Sequence, residues 1–210
     1  MTNEDVTAVI PAYNEENRIA TVIEKTKPFA DEVLVVDDQS TDNTARVAKE
    51  AGATVITNSG QAGYIGAIKT GFSRANSEIV VTLDADREHD PKDIPKLVKP
   101  VENGKADVVL GKREEIARPS EKILCSLARL RVNVEDCGTG FRALRKEIAQ
   151  QMSLEGYCTC GTFVLEAKSL GARITEVPIN LRPVDKPRGI AWKHFPQTWH
   201  VLKWVLKAGQ

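Results

Sequence analysis

A chain of 210 residues with 41% hydrophobic and 28% charged side chains can bury one substantial core, which excludes a disordered or fibrous protein. Its 29 basic and 29 acidic side chains cancel, which excludes a global trap for nucleic-acid polyanions. The balance is uneven, however: after residue 181, Arg182, Lys186, Arg188, Lys193, Lys203 and Lys207 face Asp185 alone, leaving 23 basic and 28 acidic residues in the first 181. A basic tail on an acidic body directs the search for a partner to the tail.

In chain order, Val6–Ile10 reads as a short apolar strand, followed by Pro11-Ala12-Tyr13-Asn14-Glu15 and a helical stretch carrying Ile19, Val22 and Ile23. Glu32 to Val36 is a strand ending in Asp37-Asp38, and Ser40/Thr41 cap a helix that runs to Glu50. Ala53–Thr57 is a third strand, and a glycine turn (Gly60, Gly63, Gly66) opens a helix to Ala75. Glu78–Leu83 is a fourth strand ending in Asp84-Ala85-Asp86, Pro91 suits the first turn of a helix over Lys92–Glu102, and Ala106–Leu110 is a fifth strand. Unbroken Val/Ile/Leu runs separated by helices predict an α/β fold, a mostly parallel, open, doubly wound sheet with helices on both faces. After Arg113 the pattern predicts a helix over Glu121–Arg131, an extended Gly138–Leu144, helices over Lys146–Met152 and Thr162–Leu170, and a strand over Arg173–Val177. No linker separates this stretch from the first half.

Four cysteines (Cys125, Cys137, Cys158, Cys160) are too few for a disulfide scaffold and predict buried free thiols. The Cys158-x-Cys160 pair lacks metal-binding companions in the sequence, because Cys137 is isolated and His89, His194 and His200 are scattered. The polar, acidic Met1 to Asp5 carries no signal-peptide pattern, and no window reaches ~18 apolar residues, so the expectation is a cytoplasmic chain.

In doubly wound sheets, ligands bind beyond the carboxyl ends of the strands. Pro11–Glu15, Asp37-Asp38, Gly60–Gly66 and Asp84/Asp86 all fall at such ends. Carboxylates gathered there without visible cationic partners suggest a cation between them, and Asp84-x-Asp86 supplies hard oxygen ligands for Mg²⁺ or Mn²⁺. The chain has no G-x-x-x-x-G-K-[ST] loop and no G-x-G-x-x-G after the first strand, which excludes two common nucleotide folds. A phosphoacceptor receiver domain begins at its acidic pair, whereas a whole strand–helix unit precedes Asp37-Asp38 here.

Four segments in order, Ile10-Pro11-Ala12-Tyr13-Asn14-Glu15, Val36-Asp37-Asp38-Gln39-Ser40-Thr41-Asp42-Asn43-Thr44, Leu83-Asp84-Ala85-Asp86 with His89-Asp90-Pro91, and Asp136-Cys137-Gly138-Thr139-Gly140-Phe141-Arg142, resemble the family 2 glycosyltransferases of the GT-A fold. The similarity spans roughly residues 5 to 180 and is strongest to the dolichol-phosphate mannose synthase-like branch. It implies one GT-A domain over residues 1–181, with a nucleotide-sugar half over 1–113, an acceptor half over 114–181, and a basic amphipathic tail over 182–210.

The same resemblance implies roles for individual residues. Pro11, Tyr13 and Glu15 match the first nucleotide-contacting loop, and Asp38, with Asp37 beside it, the acid that reads the base. Asp84 and Asp86 match the D-x-D that holds Mg²⁺ or Mn²⁺ against the donor diphosphate. Arg113, in Gly111-Lys112-Arg113, matches an arginine facing the phosphates. Asp136 and Arg142 match a segment near the donor sugar and acceptor.

The expected reaction is an inverting displacement on a nucleotide-diphosphate sugar such as a GDP- or UDP-sugar. Asp86 and Arg113 would neutralise the departing diphosphate, and Asp136 would serve as base if the acceptor is a hydroxyl. A lipid-phosphate acceptor, polyprenyl or dolichyl, needs no base. Gln61 stands where the lipid-linked enzymes carry lysine, Glu88 replaces a glutamine, and Glu114–Val134 is shorter than their acceptor helix. A soluble transferase with a non-lipid acceptor and a catalytically decayed nucleotide-sugar-binding protein are the alternatives.

Pro196 is expected to start a helix to Lys207, with His200, Lys203 and Lys207 on one stripe and Trp199, Val201, Leu202, Trp204, Val205 and Leu206 over the rest. Two expectations fit that pattern: a peripheral contact with the cytoplasmic membrane face, or a helix packed on the body. Arg182, Lys186 and Arg188 are candidate contacts for donor or acceptor phosphates.

Overall fold

The computed structural model describes residues 5–116, 118–182 and 191–207. Strands β1 (Val6–Ala12), β2 (Glu32–Asp37), β3 (Thr54–Thr57), β4 (Ile79–Thr82), β5 (Val108–Lys112), β6 (Arg142–Arg145) and β7 (Ile174–Pro178) form one sheet in the order β3-β2-β1-β4-β6-β5-β7. Helices α1 (Ile19–Thr26), α2 (Thr44–Glu50), α3 (Tyr64–Arg74) and α4 (Ile94–Glu102) alternate with the first five strands as the sequence predicts.

The apolar runs are continuous because both sheet faces are covered. On one face Val9, Leu34, Val36 and Val80 pack with Ile65, Ile68 and Phe72 of α3; on the other, Ile10, Val35 and Val81 pack with Ile19 and Ile23 of α1 and Leu97 of α4. Side chains alternate between these two cores along each strand. Each fully buried aliphatic side chain contributes roughly 1.5–3 kcal/mol of transfer free energy.

β6, expected only as an extended segment, runs antiparallel between β4 and β5, with Arg142 opposite both Thr82 and Leu110. Because it runs against its neighbours, its first residue lies at their carboxyl ends. The preceding residues, 136–141, are thereby laid across the same sheet edge as Asp84 and Asp86.

Helices α5 (Pro119–Ala128), α6 (Lys146–Gln151) and α7 (Thr162–Ser169) follow the predicted order, and α8 (Ala191–Lys207) closes the described chain. Pro196 does not start α8 as expected; it sits inside the helix, five residues past the first. Proline lacks an N–H and so forgoes one helical hydrogen bond there. α8 packs on the body: Val201 and Val205 are buried in the α3-side core, and Arg131 Nε donates to the Val205 carbonyl at 2.9 Å.

Candidate functional site

The carboxyl ends of β1 and β2 are tied to each other by side chains. Asn14, at φ 54°, accepts from Thr41 N at 2.8 Å through Oδ1, and its own N–H donates to Ser40 Oγ at 3.0 Å. Asparagine tolerates this left-handed backbone better than most residues. Glu15 N donates to Thr44 Oγ1 at 2.7 Å, so the first-loop residues rest on the start of α2. Pro11 is half-buried in β1 opposite Val36, whereas Tyr13 is 57% exposed.

The two adjacent aspartates are not equivalent. Asp38 accepts from Asn58 Nδ2 and from Gly63 N, both at 2.7 Å, and so pins the glycine turn that opens α3. Asp37 is 5% exposed, and its Oδ1 has no hydrogen-bond partner among the described residues.

Beyond β4, Asp86 Oδ1 accepts from Glu88 N at 2.9 Å, and Arg87 is held at φ 73°. A non-glycine residue in that region costs about 1–3 kcal/mol and persists only where the surroundings fix it. Two contacts do so. His89, 4% exposed, stacks on Phe141 at 5.1 Å and accepts from Asp84 N at 3.3 Å; Arg182 N donates to Glu88 O at 2.8 Å. The Arg182 guanidinium bonds Asp90 Oδ2 at 2.6 Å. Arg182, expected as a phosphate contact, is thus part of the frame of the D-x-D turn; Lys186 and Arg188 lie outside the described residues.

A Cβ on Gly140 would stand 2.9 Å from both Asp84 carboxylate oxygens, and one on Gly138 would stand 2.2 Å from Glu121 Oε1. The glycines of the Asp136–Arg142 segment therefore let two carboxylates lie against bare backbone. Asp84 and Asp86 offer hard oxygens on one short turn, a donor set that fits Mg²⁺ or Mn²⁺. The acidic edge also has cationic partners that the sequence did not reveal: Arg18 pairs with Glu15 at 2.9 Å and is raised further by the Asp86 charge, and Arg182 pairs with Asp90.

Asp136 and Arg113, expected to act separately, are brought together. Arg113 Nε and Nη2 donate to the two Asp136 oxygens at 2.7 Å each, and Nη2 also bonds Glu121 Oε1 at 3.0 Å. Asp136 is 1% exposed and accepts further from Gly138 N at 3.2 Å. In this structure the Asp136 carboxylate and the Arg113 guanidinium are engaged chiefly with each other and with Glu121. Burial opposes the Arg113 charge, yet Asp136 and Glu121 together hold its guanidinium above its ordinary pKa.

Arg142 is fully buried on β6, with Nη2 on Thr159 Oγ1 at 2.9 Å and its guanidinium 4.1 Å above the Phe163 ring. Its Nε and Nη1 have no hydrogen-bond partner among the described residues. Tyr64, given no role by the sequence, lies where burial and then the Asp84 charge push its phenol upward while Arg142 opposes them. A cavity of about 810 Å³ also opens along β5 and β7; its lining includes Arg113 and Lys168 but neither Asp84 nor Asp86.

The four cysteines are buried and free, as expected. The expectation that Cys158-x-Cys160 lacks a histidine is corrected: α8 brings His194 Nε2 to 3.8 Å from Cys160 Sγ.

A mostly parallel sheet whose carboxyl edge carries three acidic segments, one of them a D-x-D turn, defines a GT-A-type nucleotide-sugar transferase site. Residues 7–153 match the family model "Glycosyl transferase family 2". The UDP-N-acetylglucosamine–dolichyl-phosphate N-acetylglucosaminyltransferase of Methanococcus voltae is 30% identical over 85% of this chain and 86% of its own length. The dolichol-phosphate mannosyltransferase of Pyrococcus furiosus is 27% identical over 95% of this chain and 64% of its own. Among solved structures, glucosyl-3-phosphoglycerate synthase from Mycobacterium tuberculosis, in complex with Mn²⁺, UDP and phosphoglyceric acid, superposes with a TM-score of 0.79 at 22% identity, covering 98% of this chain and 78% of its own. The chain belongs to glycosyl transferase family 2, in the dolichol-phosphate mannosyltransferase-like branch. It is a nucleotide-sugar glycosyltransferase.

Proposed function

We propose that the chain transfers a hexosyl group from a UDP- or GDP-sugar to a polyprenyl phosphate at a membrane surface. The observation that carries the donor half is the convergence of Tyr13/Glu15, Asp37/Asp38 and Asp84/Asp86 on one sheet edge. Pro11, Tyr13 and Glu15 would border the nucleoside, and Asp38, with the buried Asp37 beside it, would read the base. Asp84 and Asp86 would hold Mg²⁺ or Mn²⁺, which when bound neutralises charge on the departing nucleoside diphosphate. Arg142 would set a fixed positive charge beneath this edge, in the segment next to the donor sugar.

Two observations favour a lipid-phosphate acceptor over a hydroxyl. Asp136 has both oxygens engaged by Arg113, and an already anionic phosphate oxygen needs no base to attack the anomeric carbon in line. Asp136 and Arg113 then serve by fixing the loop that borders the acceptor. α8, in addition, turns Phe195, Trp199 and Leu206 outward at 88%, 62% and 73% exposure, with Lys203 and Lys207 beside Trp199 and Trp204. Apolar and aromatic side chains interleaved with lysines suit the headgroup boundary of an anionic bilayer. No helix among the described residues is long and apolar enough to cross a membrane. The names of the two dolichyl-linked relatives agree with this acceptor class.

The test is transfer of labelled sugar from a panel of UDP- and GDP-sugars, with Mn²⁺, to polyprenyl phosphate in vesicles or to soluble hydroxyl acceptors. The expected result is label in the lipid fraction from one donor, absent without metal. Label only in soluble products would transfer the reading to a non-lipid acceptor, and no turnover or nucleotide binding with any donor would leave a decayed scaffold.

A further inference from the structure

Cys158, Cys160 and His194 are not among the acidic groups of the sheet edge, and transfer of a hexosyl group does not use them. Cys158 and Cys160 stand in the turn between α6 and α7, and His194 reaches them from α8. The two Sγ atoms and one imidazole nitrogen all fall within 4.8 Å of one another. The three residues are 4%, 6% and 2% exposed.

We propose that these three side chains form a site for a thiophilic d¹⁰ dication of the zinc class, which staples α8 to the body of the enzyme. The geometry is close to ligation as it stands. A tetrahedral zinc with Zn–S of about 2.3 Å and Zn–N of about 2.0 Å holds sulfur and nitrogen roughly 3.5 Å apart. Cys160 Sγ and His194 Nε2 are 3.8 Å apart. The other ring nitrogen is occupied as zinc sites require: Nδ1 meets Ser120 Oγ, on α5, at 2.8 Å. With Nδ1–H donating to that hydroxyl, the Nε2 lone pair faces the sulfurs.

The turn is braced independently by the residue one helical turn beyond His194. Gln197, fully buried, donates through Nε2 to the Cys158 carbonyl at 2.7 Å and to the Cys160 carbonyl at 3.3 Å, and through Oε1 accepts from Tyr157 N at 2.9 Å. The ligand-bearing turn is thus held to α8 without the ion, and the ion finds its donors already assembled.

Charge and softness select the ion. Two thiolates and a neutral imidazole around a dication make a cluster of zero net charge, which burial tolerates, and binding releases the two thiol protons. Sulfur and imidazole donors favour zinc over the Mg²⁺ or Mn²⁺ suited to Asp84 and Asp86, so the two sites separate by chemistry. Three protein ligands leave the fourth tetrahedral position to water or a small exogenous donor.

The test uses the full chain carrying Asp86→Ala, so that the D-x-D turn contributes no tight site, stripped with chelator and titrated with Co²⁺. The expected result is one equivalent of cobalt with the visible bands of tetrahedral coordination and a sulfur-to-cobalt charge-transfer band, displaced by Zn²⁺. Cys160→Ser and His194→Ala should abolish both bands. A spectrum without a charge-transfer band, or one that survives Cys160→Ser, overturns the proposal. Should those variants fail to fold, thiol counting on the Asp86→Ala protein itself decides: Zn²⁺ should protect two of four cysteines from a thiol reagent. Equal reactivity with and without Zn²⁺, or a mass lower by two hydrogens from a Cys158–Cys160 disulfide, overturns it. This outcome is independent of transfer activity.

Discussion

Arg113 and Asp136 form a buried bidentate pair, with Nε and Nη2 each 2.7 Å from a different carboxylate oxygen. Removing one partner of such a pair leaves an uncompensated buried charge, at a cost of about 3–5 kcal/mol. Asp136→Asn leaves Arg113 with Glu121 alone and should lower stability by up to about that amount in urea unfolding, and the triple variant Arg113→Met/Glu121→Gln/Asp136→Leu, which strands no charge, should recover much of it. An Asp136→Asn enzyme of unchanged stability that has lost transfer would instead make Asp136 a base.

Asp84 and Asp86 are half-buried on the turn after β4, so their removal should leave the fold standing. Asp86→Ala should reduce Mn²⁺-dependent transfer by about a hundredfold or more, the scale of a lost electrostatic contact to a departing group. Circular dichroism and melting temperature should be close to those of the parent. Normal activity would remove the D-x-D turn from the mechanism.

Gly140 lies against the Asp84 carboxylate, where a Cβ would stand 2.9 Å from both oxygens. Gly140→Ala should push Asp84 aside; a displacement near 1 Å at a reacting centre costs on the order of a hundredfold in rate. The prediction is a fall in kcat with the apparent affinity for Mn²⁺ weakened in the same variant. Unchanged metal affinity would mean that Asp84 does not bind the ion.

Partial burial raises the Asp90 carboxyl, but the Arg182 guanidinium and the Lys92 N–H outweigh it and hold it below the ordinary aspartate range. A depressed folded pKa adds stability above the unfolded value of about 3.9, and that stability is lost as pH falls through the folded value. Wild type should exceed Arg182→Gln in melting temperature at pH 7, and the difference should shrink as the pH is taken below about 4. A gap that is constant with pH would assign Arg182 to packing rather than to the Asp90 pair.

Phe195, Trp199 and Leu206 face solvent on α8 while Val201 and Val205 hold the helix to the core. Trp199→Glu should leave the melting temperature within a few degrees of the parent but release the enzyme from anionic vesicles in sedimentation. Retained binding would move the membrane contact away from α8.

The α/β fold and the acidic edge were legible in the sequence, because both are local. Alternating strand runs such as Val33–Val36 and Val80–Val81 cross two buried faces, so the parallel sheet shows in composition alone, and Asp37, Asp38, Asp84 and Asp86 sit where those runs end. What each charged side chain does there was decided by partners distant in the chain. Arg113 meets Asp136 across 23 positions, Arg182 meets Asp90 across 92, and the insertion of β6 between β4 and β5 lays the Asp136–Arg142 segment along the edge. His194 joins Cys160 across 34 positions only because Gln197 and Val201 dock α8 on the turn. Periodicity carries the burial of a strand, which depends on its own residues. A salt bridge or a ligand cluster is a choice among competing partners, and that choice exists only once the sheet order and the helix docking have brought them within a few ångströms.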